Sequence, residues 1–383
     1  MKSRCTILFM LLGMALTCHA QDTACESFFF KKVTHSFMPA ITSEYFFFSN
    51  DDMIWFSTAK GLASFDGSEL LHHNNLKQAT DYALTRVASM LEDKLHNFYI
   101  ITPLGFFYYD RKKETFSKLE YPFKNPKEKK IITYSTLYQD PNGLIYLGSM
   151  NDGLFIYDPF KKLFEHINLD NSTSENKSDR YKNTVSSFAA NAKNPNQLWV
   201  GTFHGIYTFD KQKKQFSQHF EIVISKENIY SNIFLKDRQG IDIQKMDVEN
   251  DSTIWFNSWV RGFGKYNTNT GKVHIVFGWK KRPNADGTLD GYITPKFIKS
   301  SEGKYLLGIF NGPTAELDTR TNTARFFNVS EMHPDIEQTR YVDKDHQGNI
   351  WVLQRGFLYV SLPPALRLQH REAVSDGRQQ PEL

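Results

Sequence analysis

The chain has 383 residues, a formal net charge of +4 at pH 7 and an aromatic content of 15%. Acidic and basic residues are interspersed along it, and this weak, evenly spread charge argues against nucleic acid or an anionic membrane surface as a partner. The densest basic run, Lys124–Lys130, also carries an acid and a proline and is predicted to be a solvated loop. Cys5 and Cys18 lie in the first 20 residues, so Cys25 has no partner for an internal disulfide, and stability must come from a packed core.

Residues 1–20 predict a secretory signal peptide. Lys2 and Arg4 precede an apolar run, Thr6–Leu16, and Cys18 and Ala20 place small residues before a cut at Gln21. The run is shorter than the roughly 20 residues of a membrane-spanning helix. We therefore expect cleavage and export to the periplasm. The weaker alternative is a lipid-anchored form acylated at Cys18.

A repeat of about 45 residues follows the leader, and it is marked by one aromatic residue in each copy. The seven aromatic anchors are Trp55, Tyr99, Tyr146, Trp199, Trp255, Tyr305 and Trp351. A glycine follows each anchor by five to seven positions, at Gly61, Gly105, Gly153, Gly205, Gly262, Gly312 and Gly356. Seven copies in one register predict a repeat architecture.

Each copy predicts a four-stranded antiparallel meander. A short apolar strand leads through a polar turn, such as Asp140–Gly143, into the anchor strand, and the glycine begins a third strand. An Asp or Asn then closes the third strand, at Asp66, Asp110, Asp158, Asp210 and Asn267. Fourth strands are predicted near Phe116, Phe164, Phe216 and Val273.

Radial stacking of such sheets buries both of their faces, so the predicted fold is all-β, a single seven-bladed β-propeller over residues 26–362. The last copy, which ends at Phe357–Val360, lacks a fourth strand, and the N-terminal segment Phe28–Val33 is a spare strand. Pairing the two would close the ring and remove open edges. Residues 363–383 are polar and are predicted to be a disordered tail.

The copies at Ile54–Gly67, Asp140–Ser149 and Asp345–Val352 resemble the two-component regulator propeller repeat. That repeat is typical of the exported sensor region of Bacteroidetes-type hybrid sensors and sensor histidine kinases. The resemblance covers residues 28–362 and implies a periplasmic sensor of polar ligands, often carbohydrate fragments, with a membrane-bound kinase or output module as partner. The sequence shows no second propeller, later transmembrane helix or kinase motif, so we expect a sensor region that lacks its own output module.

No catalytic motif is found, and the sequence predicts a non-enzymatic protein without a cofactor or a metal site. His72 and His73 are adjacent, and adjacent side chains on a strand face opposite ways, so they are not expected to share a ligand.

The candidate ligand site is a set of loops between each anchor strand and its glycine, which should open on one rim of the central channel. Their side chains suit a small polar ligand such as an oligosaccharide, although ordinary exposed loops would look the same. The candidate residues are Lys60, Asn151, Asp152, His204, Trp259, Arg261, Asn311 and Arg355.

Two alternatives remain open. An exported propeller enzyme similar to the streptogramin lyases would need a His general base with a metal or carboxylate partner on the rim. His204 is the only His in the seven loops. A protein-interaction scaffold would need a flat, apolar rim.

Overall fold

The computed structural model describes residues 30–33, 41–73, 83–169, 183–220, 242–258, 262–277, 296–309, 314–327, 339–354 and 357–361. The chain divides into a main unit, residues 32–360, and a small unit formed by residues 1–31 and 361–383. The main unit carries the seven sheets apart from the ends of two strands of the last sheet. Phe30, Lys31 and Ser361 are the described residues of the small unit.

The described residues form seven four-stranded sheets, which are the blades. The strands of the first four blades are β2 (Ile41–Phe48), β3 (Ile54–Thr58), β4 (Gly61–Phe65) and β5 (Leu70–His72); β6 (Ser89–Glu92), β7 (Phe98–Thr102), β8 (Gly105–Asp110) and β9 (Thr115–Leu119); β10 (Tyr134–Gln139), β11 (Ile145–Ser149), β12 (Leu154–Asp158) and β13 (Leu163–Ile167); and β14 (Val185–Ala190), β15 (Gln197–Thr202), β16 (Gly205–Asp210) and β17 (Gln215–Phe220).

The strands of the last three blades are β18 (Lys245–Asn250), β19 (Thr253–Ser258), β20 (Gly262–Asn267) and β21 (Lys272–Phe277); β22 (Lys296–Ser301), β23 (Lys304–Gly308), β24 (Thr314–Asp318) and β25 (Thr323–Phe327); and β26 (Thr339–Lys344), β27 (Ile350–Gln354), β28 (Phe357–Ser361) and β1 (Phe30–Lys32). Two 3₁₀ turns, Ala83–Thr85 and Pro126–Glu128, lie in the connections between blades. Within a blade, consecutive strands pair antiparallel, as in β10 with β11 and β27 with β28.

The N-terminal strand completes the seventh blade, whose strand order is β1-β28-β27-β26. The Val33 amide donates to the Leu358 carbonyl at 2.8 Å. The prediction that the N-terminal segment closes the ring is therefore confirmed.

The first strands of the blades form a closed inner ring. Contacts join β6 to β10, β10 to β14, β14 to β18, β22 to β26 and β26 to β2. Side chains complete the remaining two steps, because the Tyr45 hydroxyl bonds the Met90 backbone and Lys245 Nζ donates to the Phe297 carbonyl. This cycle of seven sheets is the seven-bladed propeller that the repeat predicts.

Burial falls from the middle of each blade to its outer edge. Every residue of the second strands β3, β7 and β11 is buried, whereas every residue of the outer strands β9 and β13 is exposed or half-buried. Neighbouring blades cover both faces of a middle strand, so it accepts apolar side chains on both faces. The outer strand lies at the surface and needs polar residues.

The anchor aromatics pack between blades. Trp55 and Trp255 are at most 1% exposed, and their rings lie 4.7 Å from that of Phe98 and 5.5 Å from that of Tyr305, each in the next blade. Trp351 is half-buried. Six of the seven anchors are therefore buried in the core and are not available as sugar-stacking platforms.

The repeated Asp and Asn residues close turns, which confirms their predicted role. Asp158 Oδ1 accepts the amides of Phe160 and Lys161, both at 3.0 Å, and Asp210 and Asn267 bond their own turns in the same way. A side-chain oxygen in this position replaces a backbone partner and fixes the hairpin.

Candidate functional site

The loops of the predicted site are tight, preorganised hairpins. Thr58 Oγ1 donates to the Gly61 carbonyl at 3.0 Å and accepts the Lys60 amide at 3.1 Å. Thr202 makes the same pair of bonds in blade 4. Gly61 has φ of 105°, a left-handed conformation that favours glycine. The hairpins are rigid because one hydroxyl holds both sides of each turn.

These hairpins share one edge of the propeller with the connections between blades, and we call that edge the hairpin rim. The Met150 amide donates to the Thr133 carbonyl at 2.9 Å, and the Gly153 amide donates to the Asn183 carbonyl at 2.8 Å. The antiparallel meander explains this placement, since each inner strand begins where its second strand ends. The turns closed by Asp158 and its equivalents lie at the opposite edge.

Four of the eight predicted site residues are described. Lys60 and Asn151 are exposed. The half-buried Asp152 pairs with Lys130, and the half-buried His204 donates its amide to Thr202 Oγ1 at 3.0 Å. The other four, Trp259, Arg261, Asn311 and Arg355, lie outside the described residues. All eight remain predictions as ligand contacts.

A groove between blades 2 and 3 lies on the hairpin rim, and the sequence did not reveal it. Tyr121 and Phe123 line it, with their ring centroids 5.0 Å apart. Tyr121 also meets the Phe155 ring at 5.2 Å, and His166 stacks on Phe155 at 4.4 Å. Nε2 of His166 lies 2.6 Å from the Asp152 carbonyl oxygen, so the groove adjoins a predicted site residue.

Paired charges surround the aromatic part of the groove. Glu120 bonds Lys129 Nζ at 3.0 Å and Lys118 Nζ at 3.3 Å, and Lys129 followed by Lys118 hold the pKa of the Glu120 carboxyl below its usual value. Lys130 pairs with Asp152. The basic stretch is exposed, as predicted for a solvated loop, but its last two lysines are fixed by acids. An aromatic floor with charges of both signs suits a polar, ring-containing ligand.

His73 links blades 1 and 2 and does not form a site with His72, which is exposed. Its Nε2 lies 2.8 Å from Ser64 Oγ and its Nδ1 lies 3.1 Å from the Tyr109 hydroxyl, while its ring stacks on Trp55 at 4.5 Å. Burial, followed by the charge of Arg111, lowers the pKa of His73 to about 4. Ser64 is fully buried, so this Ser–His pair serves packing between blades.

Among the described side chains, no group of three or more His, Cys, Asp and Glu is placed to hold a metal ion. No helix within the described part of the chain is long and apolar enough to span a bilayer.

No family model and no curated protein matches the sequence. Solved structures do match. One is the extracellular domain of a protein described as a hybrid two-component system of B. thetaiotaomicron, with a TM-score of 0.62 and 16% identity. The match covers 88% of this chain and 40% of that one. The chain shares the fold of a two-component sensor's extracellular domain. This likeness confirms the resemblance at the level of the fold. The chain spans less than half the length of that extracellular domain.

A second match is virginiamycin B lyase from Staphylococcus aureus, with a TM-score of 0.55 and 11% identity over 88% of this chain and 100% of that one. At such identities both likenesses show the propeller fold, and the activity must be argued from the site.

Proposed function

We propose that this protein is an exported, non-enzymatic sensor propeller that binds a small polar ligand, such as an oligosaccharide, on its hairpin rim. Export rests on the leader in residues 1–20, and the sensor role rests on the repeat and on the fold shared with a two-component extracellular domain. A membrane-bound kinase or output module is the proposed signalling partner. This chain matches 40% of that solved extracellular domain, and the kinase or output module would be supplied by a separate chain or segment.

The groove between blades 2 and 3 is the observation that supports this proposal best. It combines the Tyr121 and Phe123 rings with the ion pairs of Glu120 and Asp152, and rigid hairpins flank it. Stacking on aromatic rings and hydrogen bonds to charged groups are the interactions that recognise a sugar. Asp152 connects the groove to the predicted loop set, which contributes Lys60, Asn151, His204, Trp259, Arg261, Asn311 and Arg355.

Thermal unfolding against a panel of neutral oligosaccharides tests this function. A ligand that binds only the folded state raises the midpoint, by an amount that grows with its concentration. We expect a shift with at least one sugar and a smaller shift in Asp152→Ala and Trp259→Ala. Lys161→Ala, at the opposite edge of blade 3, is the matched control and should keep the full shift.

Flat curves across the panel, from a protein that unfolds cooperatively, contradict a carbohydrate sensor. A shift that is equal in all three variants contradicts the hairpin rim as the site. Consumption of a bound sugar during incubation would contradict the non-enzymatic part of the proposal.

A further inference from the structure

Side chains of the inner strands bond one blade to the next. Ser135 Oγ and Ser186 Oγ each donate to a backbone carbonyl at the start of the next blade's inner strand. Lys245 Nζ does the same in blade 5, where it donates to the Phe297 carbonyl at 2.8 Å. Each of these donors has a backbone acceptor that the fold itself provides.

Lys296, the first residue of β22, departs from this pattern. Its Nζ lies 4.7 Å from the centroid of the Tyr341 ring and 5.7 Å from that of Tyr45. Lys296 is half-buried as a residue, and within the described part of the chain its Nζ has neither a hydrogen-bond acceptor nor an ion-pair partner. Ring faces attract a cation but leave the three N–H donors of an ammonium group unfilled.

The charges around Lys296 leave an excess of positive charge. Burial, followed by repulsion from Lys245, lowers the pKa of Lys296 to about 7, and Asp343 opposes this only in part. Asp343 also accepts the Tyr341 hydroxyl at 3.3 Å, and Asp247 of β18 accepts the Tyr305 hydroxyl. Two lysines against the one carboxylate that acts on Lys296 leave a net charge that one monoanion would balance.

The strand register places this cluster at the hairpin rim. Lys245 lies opposite Asn257 in the β18–β19 ladder, next to the last residue of β19. Lys296 lies opposite Gly308, the last residue of β23. Both lysines are therefore at the rim end of the inner ring, where a ligand bound to the rim can reach them.

We propose that Lys296, with Lys245 beside it, binds the carboxylate of an acidic saccharide at the rim end of the inner ring. This rests on the proposed function, since it specifies the ligand class of the same rim. Lys296 is half-buried at the rim, and no acceptor of the described chain fills its three N–H donors, so these donors can bind an anion that a ligand brings. The carboxylate would accept hydrogen bonds from the N–H groups of Lys296 and would favour the protonated, charged form of this lysine.

Binding is then coupled to proton uptake. A bound carboxylate raises the pKa of Lys296, so above pH 7 the protein must take up a proton to form the complex. Tyr45, Tyr341, Asp343 and Lys245 are the titratable groups of the adjoining strands that contact Lys296 or act on its charge. We expect affinity for the acid to weaken by up to about tenfold per pH unit between pH 7 and 9.

Calorimetric titration with trigalacturonate and with its methyl ester, at pH 6.5 and 8.5, tests this proposal. The ester keeps the sugar and removes the charge. At pH 6.5 we expect the acid to bind at least tenfold more tightly than the ester, and at pH 8.5 this preference should shrink. Lys296→Met should abolish the preference, whereas Lys299→Met, the same change on the same strand, should keep it.

The outcomes separate this proposal from the proposed function. Equal binding of acid and ester by the wild type and both variants overturns the carboxylate site and leaves the sensor intact. The carboxylate site is also overturned if neither probe binds while a neutral oligosaccharide raises the unfolding midpoint. Failure of both probes and of the whole neutral panel overturns both proposals. Should Lys296→Met fail to fold, the acid-to-ester preference of the wild type and its pH dependence decide.

Discussion

The lysines of the groove between blades 2 and 3 and those of the inner ring differ in whether the chain supplies them with a carboxylate partner. In the groove every lysine discussed has a carboxylate from the chain itself, as Lys129 has Glu120 and Lys130 has Asp152. In the inner ring Lys296 has the faces of two tyrosine rings, a repelling neighbour in Lys245 and only a partial counter-charge in Asp343. The charges of the groove are balanced within the folded chain, whereas the charge of Lys296 is not. This difference distinguishes a surface that needs no ion from a site that can bind one.

His73 shows that a buried titratable group can have all of its hydrogen-bond partners within the fold. Its pKa is also displaced by burial, but both ring nitrogens have hydroxyl partners, Ser64 and Tyr109. The fold therefore stabilises the neutral form of the imidazole and supplies its hydrogen-bond partners. For Lys296 the neutral form avoids the cost of burial but still leaves its polar atom without a hydrogen-bond partner among the described residues.

The largest effect is expected for Lys296→Met. The pKa of Lys296 falls from its usual 10.5 to about 7 on folding, so the unfolded chain binds more protons between these values and the free energy of unfolding rises with pH across that window. At pH 7 we expect the variant to be more stable than the wild type by roughly 2 kcal/mol, with the difference shrinking toward pH 10. Urea denaturation at several pH values measures it. A less stable variant at pH 7 contradicts the unpaired cation.

A smaller effect is expected at His73. Its pKa falls from 6.5 to about 4 on folding, so the unfolded chain takes up a proton first, and stability present above pH 6.5 is lost as the pH falls toward 4. Allowing for its partial exposure, the loss is about 2 kcal/mol or less. His73→Gln, which cannot titrate, should flatten the difference in urea midpoint between pH 7 and 4.5. An unchanged pH dependence in this variant would show that the ring is not held neutral.

The smallest effect is expected in the groove. Glu120 is about half exposed, with a side-chain exposure of 48%. Exposed ion pairs of this kind contribute roughly 1 kcal/mol or less and are screened by salt. Glu120→Gln should therefore lower stability only slightly in dilute buffer and not at all in 1 M salt. A larger loss of stability that persists in 1 M salt would contradict this account, because it would mean that the ion pairs of Glu120 stabilise the fold.

The repeat allowed most of the fold to be predicted from the sequence. Strand, turn and anchor recur within about 45 residues, so local chemistry such as the bonds of Asp158 to its own turn determines each blade. Ring closure by Phe28–Val33 was also predictable, because an unmatched strand and an incomplete blade stood at opposite ends of the repeat. The structure describes β1 over Phe30–Lys32 in that role.

The site was less accessible to sequence reasoning. Lys296 looks like the polar start of an ordinary strand, and its contact with Tyr45 exists only because the ring brings blade 6 close to blade 1. The groove depends on the fold of the connection after β9, where Tyr121 and Phe123 turn back onto blade 3. The one available signal was Lys245 and Lys296 at inner-strand starts where blades 3 and 4 carry serine.

The most direct test of the unbalanced charge in the inner ring is the pKa of Lys296 itself. A ¹³C NMR titration of the lysine side chains, with the Lys296 resonance assigned by its loss in Lys296→Met, measures it in the free protein and with trigalacturonate. We predict a midpoint near pH 7 in the free protein that moves upward when the acid is present. A midpoint near 10.5 that the acid does not move would contradict both the unpaired cation and the site built on it.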